Sequence, residues 1–516
     1  MTILSIKPFL AVVISLLAAL LILFFGNNVR PNVREGITLS AAVIKAVLVF
    51  SMVPAVLAGN EYYFCLWEIV DGVELAFRTD AAGMIFACVA SGLWIVTSVY
   101  SIGYMRGHHE KNQTGYFAAF AVCLSSTIGI SFAANLLTFF IFYEMLTVAT
   151  YPLVVHYRDD KARASGRKYL AYTLISGQLF FAAVAAVYVI YGTCEFKAGG
   201  FIDPGSVSTG LMLMLFLLMI GGGAVKAGIM PLHGWLPSAM VAPTPVSALL
   251  HAVAVVKAGA FCVLRVVCYV FGPEAAGWCG ADKILAWFAV ATILLSSFIA
   301  MRKDNLKARL AFSTIGQLSY IVMGISVLAP YSIAGAMFHI VAHAFLKITL
   351  FMCAGAIYVT AGLSEISTMG GLAKKMPVTC ACFGLASLGI AGLPLLAGFV
   401  SKFNIIRGAL IAGKPLFVAV LVAAALLALS YLIPVVRVFF GKSDRSAEIS
   451  GHAQTVGEKY GGHAGYNDAA PAMLIPIVIT AVVSLVLGIM PDAGPHLYDL
   501  AVIAAESISG GGGAIV

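Results

Sequence analysis

Charged side chains lie in the middle of several long apolar runs of this sequence. Glu144 stands about ten residues from either end of NLLTFFIFYEMLTVATYPLVV, and its short side chain would not reach water from there. Lys226 lies between three consecutive glycines and Pro231, and Lys257 lies in HAVAVVKAGAF. A charge at the centre of a membrane-spanning helix costs at least about 2.5 kcal/mol and by default marks an ion pathway. These residues are therefore candidate proton carriers, and a static glutamate–lysine ion pair is the alternative.

A second set of ionisable residues shares one face of a predicted helix. His339, His343 and Lys347 follow one another at four-residue steps in MFHIVAHAFLKITLF. Each step turns only about 40° around a helix, so the three side chains form one slanting polar stripe. Two histidines could also hold a metal, but the adjacent lysine and the lack of a carboxylate in this segment argue against that, and we expect no metal. His251 and Lys402 lie in other apolar runs and complete the set of candidates.

Lysine, glutamate and histidine side chains in an apolar interior can exchange protons. Burial disfavours the charged form of lysine and glutamate, so both gain or lose a proton closer to neutral pH. Histidine already does so in water. In a row of such groups the proton affinity of each depends on the charge of its neighbour. A charge pushed in at one end can then expel a proton at the other, and the predicted chemistry is proton translocation.

The composition predicts that these residues are held in a bilayer. Hydrophobic residues make up 61% of the 516 residues and charged residues only 10%, against about 25% in soluble proteins. A spanning helix needs about 20 apolar residues, and the sequence offers about 14 such stretches. We therefore expect an all-α polytopic membrane protein. Its predicted parts are three N-terminal spans (1–108), a first five-helix unit of spans 4–8 (109–272), a second of spans 9–13 (280–440), a polar loop (441–469), and a last span with a C-terminal tail (470–516).

The distribution of lysine and arginine between the predicted loops indicates an orientation. The odd-numbered connections hold 18 of these residues and the even-numbered connections only 6. Positive charge concentrates on the cytoplasmic side of membrane proteins, so this bias predicts that both termini face outward. The formal net charge of +8 is then mostly a topology signal, and we expect no nucleic-acid partner. The polar segment 441–469 falls on the cytoplasmic side and is predicted to be a loop of low order.

Two segments rich in glycine and proline interrupt the apolar pattern, residues 221–240 and 388–406. Lys226 lies just before the first break and Lys402 just after the second. Irregular backbone inside a membrane is tolerated only within protein or beside water, and transporters place such breaks at equivalent positions of two repeats. AGIMPLHGW and AGLPLLAGF are weakly alike and lie five spans apart, which would suit two inverted units, although such strings also occur by chance. The expected helix-breaking residues are Pro231, Pro237 and Pro394.

Three other basic residues, Lys45, Arg265 and Arg437, also fall within apolar stretches. We expect them to lie near span ends and to extend their charged heads to the membrane surface. The sequence has no phosphate-binding loop, no dinucleotide-binding motif and no pair of cysteines spaced as zinc or iron–sulfur ligands. We therefore expect no cofactor in this chain.

Residues 225–259, VKAGIMPLHGWLPSAMVAPTPVSALLHAVAVVKAG, strongly resemble the central segment of the antiporter-like subunit family. DNLKARLAFSTIGQLSY (304–320) and LAGFVSKF (396–403) resemble two further motifs of that family. The family comprises the large proton-pumping membrane subunits of respiratory complex I, the two large subunits of Mrp-type cation/proton antiporters, and their counterparts in membrane-bound hydrogenases. The resemblance in span number and order extends over nearly the whole chain.

The resemblance implies 14 helices with two inverted five-helix units. It also implies roles for the buried charges: a glutamate–lysine pair at Glu144 and Lys226, a linking lysine at Lys257 with His251 on the same span, a polar stripe at His339, His343 and Lys347, and an outlet at Lys402. The sequence departs from parts of the family. Lys402 stands where some complex I members have glutamate, and Lys257 where some have no lysine. This combination resembles the D-like branch of the Mrp subunits most.

Two functions follow from the resemblance. The first is a proton-translocating subunit of a redox-driven complex, such as a complex I-like NADH/quinone oxidoreductase or a membrane-bound hydrogenase, with electron transfer in partner subunits. The alternative is a subunit of an Mrp-type Na⁺ or K⁺/H⁺ antiporter without redox chemistry. A membrane scaffold with static buried charges is a third possibility. In the first two cases we expect other membrane subunits as partners and a location in the cell (inner) membrane.

Overall fold

The computed structural model describes residues 1–26, 29–70, 72–441 and 468–510 of the chain. The predicted polar loop, 441–469, lies almost entirely outside these residues, and so does the end of the predicted C-terminal tail. The described residues form twenty α-helices. These are α1 (Lys7–Phe25), α2 (Pro31–Phe50), α3 (Val53–Leu57), α4 (Ala81–Gly107), α5 (Gln113–Phe132), α6 (Leu136–Val154), α7 (Asp160–Tyr191), α8 (Thr209–Ala227), α9 (Trp235–Ser238), α10 (Thr244–Ala252), α11 (Val255–Arg265), α12 (Gly272–Trp278), α13 (Ala281–Met301), α14 (Leu306–Ser326), α15 (Pro330–Ala361), α16 (Pro377–Ala391), α17 (Ala397–Ile411), α18 (Pro415–Phe440), α19 (Pro471–Ile489) and α20 (Leu497–Ile508).

Twelve helical stretches among the described residues are long and apolar enough to cross a membrane. Two further elements lie where spans 10 and 12 were predicted, near Leu318 and Leu388. The first is α14, and the second is the pair α16 and α17 with a short interruption between them. Helices therefore stand at all fourteen predicted positions, and the predicted polytopic helical fold is confirmed.

A small sheet near the N-terminus was not predicted. It contains β1 (Thr2–Leu4), β2 (Glu61–Val70) and β3 (Val73–Arg78) in the order β1-β2-β3. β1 pairs with β2 in parallel, and β2 pairs with β3 in antiparallel register. The β2 sequence EYYFCLWEIV is rich in aromatic and β-branched residues, which favour strands. The segment was predicted to be a connection between two spans, because it carries several charged residues, and no strands were assigned to it.

Two pairs of equivalent helices in the two five-helix units are offset by the same number of residues. The start of α6 and the start of α14 are 170 residues apart, and so are the ends of α7 and α15. Five spans separate each equivalent pair. Because five is odd, equivalent helices run through the bundle in opposite directions. This is the inverted arrangement that the sequence resemblance implied.

The same spacing recurs in the residues that begin and end these helices. Asn135 caps α6 by accepting from the Thr138 amide at 2.8 Å, and Asn305 caps α14 by accepting from the Ala308 amide at 3.1 Å. α7 and α15 both end at a glycine with φ of +69°. Isolated bridges pair Asn135 with Glu195 and Asn305 with Glu365. The repeat thus extends from helix packing to individual caps and turns. The prediction of a repeat used the likeness of AGIMPLHGW and AGLPLLAGF and overlooked the identical asparagine, glycine and glutamate residues at these positions.

Both predicted helix breaks are present. α8 ends at Ala227, and Gly228 follows with φ of +72°, so Pro231 lies in the turn between α8 and α9. α16 ends at Ala391 and α17 begins at Ala397, so Pro394 lies in the second turn. Pro237 lies inside α9 and so belongs to the helix after the break.

The structure contains a third helix break, which was not predicted. Val253 and Ala254 leave the helical conformation between α10 and α11. α10 and α11 are completely buried, and α15 is nearly so. His251 therefore lies just before a break at the centre of the bundle, and Lys257 just after it.

Candidate functional site

The first buried pair joins α6 to the end of α8. Lys226 lies in the last turn of α8, is fully buried, and places its ammonium 3.9 Å from a carboxylate oxygen of Glu144. The ammonium also donates to the Tyr143 backbone carbonyl and lies 3.3 Å from the centroid of the Tyr143 ring. The ring face is electronegative and so attracts the cation. The Glu144 side chain keeps 16% of its surface exposed, but both of its carboxylate oxygens are buried.

Two glycines let the helices around this pair approach closely. A Cβ on Gly177 would lie 2.4 Å from a Glu144 carboxylate oxygen. Only glycine at this position of α7 therefore leaves room for that carboxylate. A Cβ on Gly259 would lie 2.2 Å from the Ala227 backbone nitrogen. The backbone of α11 therefore packs directly on the end of α8, next to Lys226.

The second pair lies at the centre of the bundle and joins the two units. The Lys257 ammonium on α11 lies 2.7 Å from Nδ1 of His343 on α15, and both residues are fully buried. His251, six residues before Lys257, stacks on Phe351 at 4.6 Å between ring centroids. Neither ring nitrogen of His251 has a hydrogen-bond partner among the described residues. These imidazoles and this ammonium are groups that can each carry one proton.

The three side chains of the predicted stripe on α15 do not all point the same way. The rings of His339 and His343 lie 6.0 Å apart, as expected for one helix face. Lys347 turns away and donates to the Ser313 hydroxyl at 2.6 Å and to the Leu310 carbonyl at 3.3 Å, both on α14. The stripe therefore serves two neighbours, with the histidines facing the bundle centre and Lys347 facing α14.

Lys402 lies at the far end of the row, beside the second helix break. Its ammonium donates to the Ile390 carbonyl near the end of α16 and lies 4.7 Å from the centroid of the Tyr320 ring. The Tyr320 ring stacks on His339 at 5.8 Å, and Nδ1 of His339 lies 2.7 Å from the Ser401 hydroxyl. Lys402 and His339 are thus joined through shared neighbours.

Direct contacts do not join every candidate. Glu144 contacts Lys226, and Lys257 contacts His343, but among the described residues no side-chain hydrogen bond joins Lys226 to Lys257. Buried polar atoms without protein partners are typical positions for ordered water. The described contacts therefore form separate pairs and not one continuous chain.

The sequence profile of the family described as "NADH:quinone oxidoreductase/Mrp antiporter, TM" matches residues 133–428. The chain belongs to this family. It is 30% identical over 511 residues to NADH-quinone oxidoreductase subunit L of Escherichia coli (strain K12), a match that covers 95% of this chain and 78% of that protein. It is 29% identical over 433 residues to NADH-quinone oxidoreductase subunit N of Desulforudis audaxviator (strain MP104C), a match that covers 83% and 85%.

Other members of the NADH:quinone oxidoreductase/Mrp antiporter family are longer than this chain. The chain spans 38% of the length of a probable K⁺/H⁺ antiporter component from Rhizobium meliloti (strain 1021), with 31% identity. It spans 59% of the length of NAD(P)H-quinone oxidoreductase chain 5 from a Picosynechococcus strain. Each of these two matches covers 74% of this chain.

Solved structures with the same fold cover almost the whole chain. A chain of the Mrp complex from Dietzia sp. DQ12-45-1b matches with a TM-score of 0.83 and 21% identity, over 98% of this chain and 97% of that one. A chain of respiratory complex I from Thermus thermophilus matches with a TM-score of 0.78 and 20% identity, over 97% and 99%. At these identities the likeness establishes the family fold and nothing finer.

Several uncharged residues of the site were not found from the sequence. Tyr143 and Tyr320 present ring faces to the two terminal lysines, while Ser313 and Ser401 hold Lys347 and His339. Tyrosine and serine occur throughout the spans of this chain and carry no charge to mark them there. Only the packing shows that they contact the charged groups.

The expectation for Lys45 and Arg265 was wrong. Lys45 is fully buried, donates to the Leu124 carbonyl at 3.2 Å and lies 4.6 Å from the Trp94 ring centroid. Arg265 is also buried and forms an ion pair with Asp80, the residue that caps α4. These groups find partners inside the bundle, so they do not extend to the surface. Arg437, by contrast, is exposed near the end of α18, as expected.

Proposed function

We propose that this chain is the proton-translocating subunit of a larger membrane complex. The observation that carries this proposal is the hydrogen bond between Lys257 and His343. It joins two proton-binding groups from the two inverted units at the buried centre of the bundle. A static structural role would be served as well by an apolar contact, which avoids the cost of burying a charge. Titratable groups in contact across the repeat boundary can instead pass a proton between the units.

The proposed mechanism is a sequence of coupled protonation changes. A change of charge on Glu144 alters the attraction that holds the proton on Lys226, 3.9 Å away. The charge on Lys226 then acts on Lys257, which shares its proton with His343. His339 passes the change towards Lys402, which exchanges protons with one side of the membrane. Each step moves one proton and changes the proton affinity of the next site.

The energy source is proposed to lie in other subunits. Several relatives are named as NADH-quinone oxidoreductase subunits, and the structural neighbours are chains of the Mrp complex, a membrane-bound sulfane sulfur reductase and complex I. By analogy, this chain would bind other membrane subunits and receive its driving force from a redox-active part of the complex. The excess of basic residues in the odd-numbered loops supports a cell (inner) membrane location with both termini outward.

A second candidate is a cation/proton antiporter subunit that uses no redox chemistry. Lysine at both the linking and the outlet positions, Lys257 and Lys402, favours it through the resemblance to Mrp-type subunits. The two candidates differ in what drives transport. In inverted vesicles without an electron donor, a Na⁺ or K⁺ gradient would move protons in the second case only.

Glu144→Gln in the assembled complex tests the proposed function. The substitution removes the charge but keeps the shape, so we expect proton transport in inverted vesicles to fall at least about tenfold. Glu274→Gln is the matched control, because Glu274 is exposed at the start of α12. Unchanged transport by Glu144→Gln, with normal amounts of assembled complex, would contradict the proposal.

A further inference from the structure

A cavity of about 470 Å³ lies at one end of the bundle, outside the buried row. Its wall is formed by the start of β2, the end of β3, the α5–α6 and α7–α8 connections, the end of α11, and α20. The connections in this wall are all even-numbered in the predicted topology, so the cavity lies opposite the loops rich in basic residues. Pockets for small ligands usually measure about 300–1,000 Å³. The cavity can therefore hold a small group, and it lies at the span ends, where lipid headgroups are found.

Two opposite charges face this cavity without a close partner. Lys197, in the α7–α8 connection, lines the cavity and forms no ion pair within 4.0 Å among the residues that the structure describes. Glu61, at the start of β2, also lines it, and its ion-pair partner there is Arg78 at 4.0 Å. Arg78 lies closer to Glu195, at 3.2 Å. The cavity therefore contains one ammonium group and one carboxylate that are free to take a ligand.

The charge of the Glu61 carboxylate is not fully compensated by its neighbours. Burial raises the pKa of this carboxyl group, and Asp80 raises that pKa further, while Arg78, Arg265 and the N-terminal ammonium oppose the rise without cancelling it. Arg265 is itself engaged, because two of its nitrogens donate to the two carboxylate oxygens of Asp80. An additional cation beside Glu61 would therefore favour the ionised form of this residue.

The wall of the cavity also contains a hydrogen-bond donor without an acceptor. Arg265 is only 2% exposed, and its Nε finds no partner among the described residues. A buried donor that lacks any partner destabilises a structure, and ordered water or a ligand oxygen usually supplies the acceptor. The protein therefore leaves Arg265 short of an acceptor at the same place where Lys197 and Glu61 lack close partners.

The two free charges select the class of ligand. A cation alone would pair with Glu61 and leave Lys197 without a partner, and an anion alone would pair with Lys197 but face the Glu61 carboxylate. A ligand with one anionic and one cationic group can form a charge-assisted hydrogen bond with each residue. The apolar side chains of Val56, Phe201 and Ile503 also line the cavity, which suits a ligand that has an apolar part as well.

We propose that this cavity binds the headgroup of a phosphatidylethanolamine molecule from the surrounding membrane. The phosphate accepts a hydrogen bond from the Lys197 ammonium, and the ethanolamine ammonium donates to the Glu61 carboxylate. The acyl chains contact the apolar part of the wall. The bound headgroup joins β2 to the α7–α8 connection, two segments that are far apart in the sequence. This lipid site is separate from the buried row and does not depend on the proposed function.

The first test measures which headgroup the complete complex selects. Dihexanoyl-phosphatidylethanolamine, a short-chain lipid, is titrated into purified and delipidated complex in an uncharged detergent. We expect it to bind at least about tenfold more tightly than phosphatidylcholine and phosphatidylglycerol of the same chain length. The nitrogen of phosphatidylcholine is trimethylated and cannot donate a hydrogen bond to Glu61, and phosphatidylglycerol has no cationic group. Equal binding of the three lipids would overturn the proposal.

The second test removes each charge of the site in turn. Lys197→Gln and Glu61→Gln should each weaken the binding of phosphatidylethanolamine about tenfold, because each variant loses one charge-assisted hydrogen bond. Lys283→Gln and Glu274→Gln are the matched controls, since both residues are exposed and neither lines the cavity. Lipid bound elsewhere on the complex would not respond to the first two substitutions. If Lys197→Gln and Glu61→Gln bind this lipid as tightly as the controls do, the proposal is wrong.

A third variant fills the cavity without altering its charges. Ser507 is exposed on α20 and lines the cavity, so the indole ring in Ser507→Trp would occupy space that the headgroup needs. We expect this variant to bind phosphatidylethanolamine about tenfold more weakly than the unaltered complex. Full binding by Ser507→Trp, with normal amounts of assembled complex, would contradict the placement of the headgroup in this cavity.

Free phosphoethanolamine tests whether the headgroup comes from a lipid. This compound carries the same two charges but has no acyl chains, so it gains nothing from the apolar part of the wall. It should bind at least about tenfold more weakly than dihexanoyl-phosphatidylethanolamine in the same titration. Equal binding of the free compound and the lipid would overturn the assignment of the site to a membrane lipid.

Discussion

The first five-helix unit sets Lys226 against the carboxylate of Glu144, whereas the second sets Lys347 against the Ser313 hydroxyl and the Leu310 carbonyl. Both ammonium groups are fully buried. Segment 280–440 holds only three acidic residues, all at helix ends or in loops, and among the described residues no ion pair joins Lys347 to a carboxylate within 4.0 Å. One unit therefore holds a balanced pair and the other holds a cation supported only by neutral oxygens.

The 170-residue repeat shows how the difference arises. Position 144 on α6 is equivalent to Thr314 on α14, and Gly177 on α7 is equivalent to Lys347 on α15. In the first unit the charged side chain is Glu144 on α6, and it lies against Gly177 on α7. In the second unit the charged side chain is Lys347 on α15, and it reaches Ser313, next to Thr314 on α14. The same pair of helices thus presents a negative group in one unit and a positive group in the other.

Replacing each lysine by methionine should have the largest and most unequal effect. Lys226→Met leaves the Glu144 carboxylate in the bundle without its cation, and breaking a buried ion pair in this way costs about 3–5 kcal/mol. Lys347→Met leaves only Ser313 and Leu310 short of one donor, and Ser313 keeps its contact with the Tyr431 hydroxyl at 2.9 Å. The expected loss there is about 1 kcal/mol. Unfolding of the purified protein in mixed micelles measures both values.

A second substitution checks that the inequality comes from the carboxylate. Glu144→Gln in the Lys226→Met background removes the unpaired charge and should restore most of the lost unfolding free energy. Equal losses of unfolding free energy in Lys226→Met and Lys347→Met would show that Glu144 does not stabilise Lys226. The two units would then differ in geometry and not in the stability of their buried lysines. Transport should be lost in both single variants.

The burial of the charged members of the row was predicted from the sequence, and their role in proton transfer stays a prediction. A lysine or glutamate in the middle of an apolar span has few explanations, so Lys226, Lys257 and Lys402 were found by type and position alone. The helix breaks at Pro231 and Pro394 were found because proline and glycine disrupt the helical backbone directly. These signals are local, and each can be read within one segment.

The rest of the site depends on contacts between distant segments. Nothing near Lys257 in the sequence indicates that His343, 86 residues later, lies at 2.7 Å. The break at Val253 and Ala254 contains no proline or glycine, so the local sequence gives no warning of it. Arg265 was misplaced for the same reason, because its partner Asp80 is 185 residues away. Buried charges were predicted, but their partners required the fold.

Gly177→Ala tests the first unit with a smaller perturbation. The new Cβ would lie 2.4 Å from a Glu144 carboxylate oxygen, so the carboxylate must move away from its present position near Lys226. Such overpacking costs about 1–3 kcal/mol, and we expect transport to fall with it. Gly221→Ala on α8 is the matched control, since its Cβ would meet nothing within 4 Å. Normal transport by Gly177→Ala would mean that the position of the Glu144 carboxylate is not critical.

The smallest expected effect tests whether the two units are equivalent at their helix caps, outside the buried row. Asn135 and Asn305 cap equivalent helices, and each also donates its side-chain amide, Asn135 to the Glu74 carbonyl at 2.6 Å and Asn305 to the Glu365 carboxylate at 2.9 Å. Alanine at either position should lower the unfolding free energy by about 1 kcal/mol, and the double variant should show the sum. Serine should recover the capping part, because its hydroxyl accepts the same amide bond. Equal losses at the two caps, beside unequal losses at Lys226 and Lys347, would place the difference between the units in their buried charges. Unequal losses at the caps would place part of it in the scaffold itself.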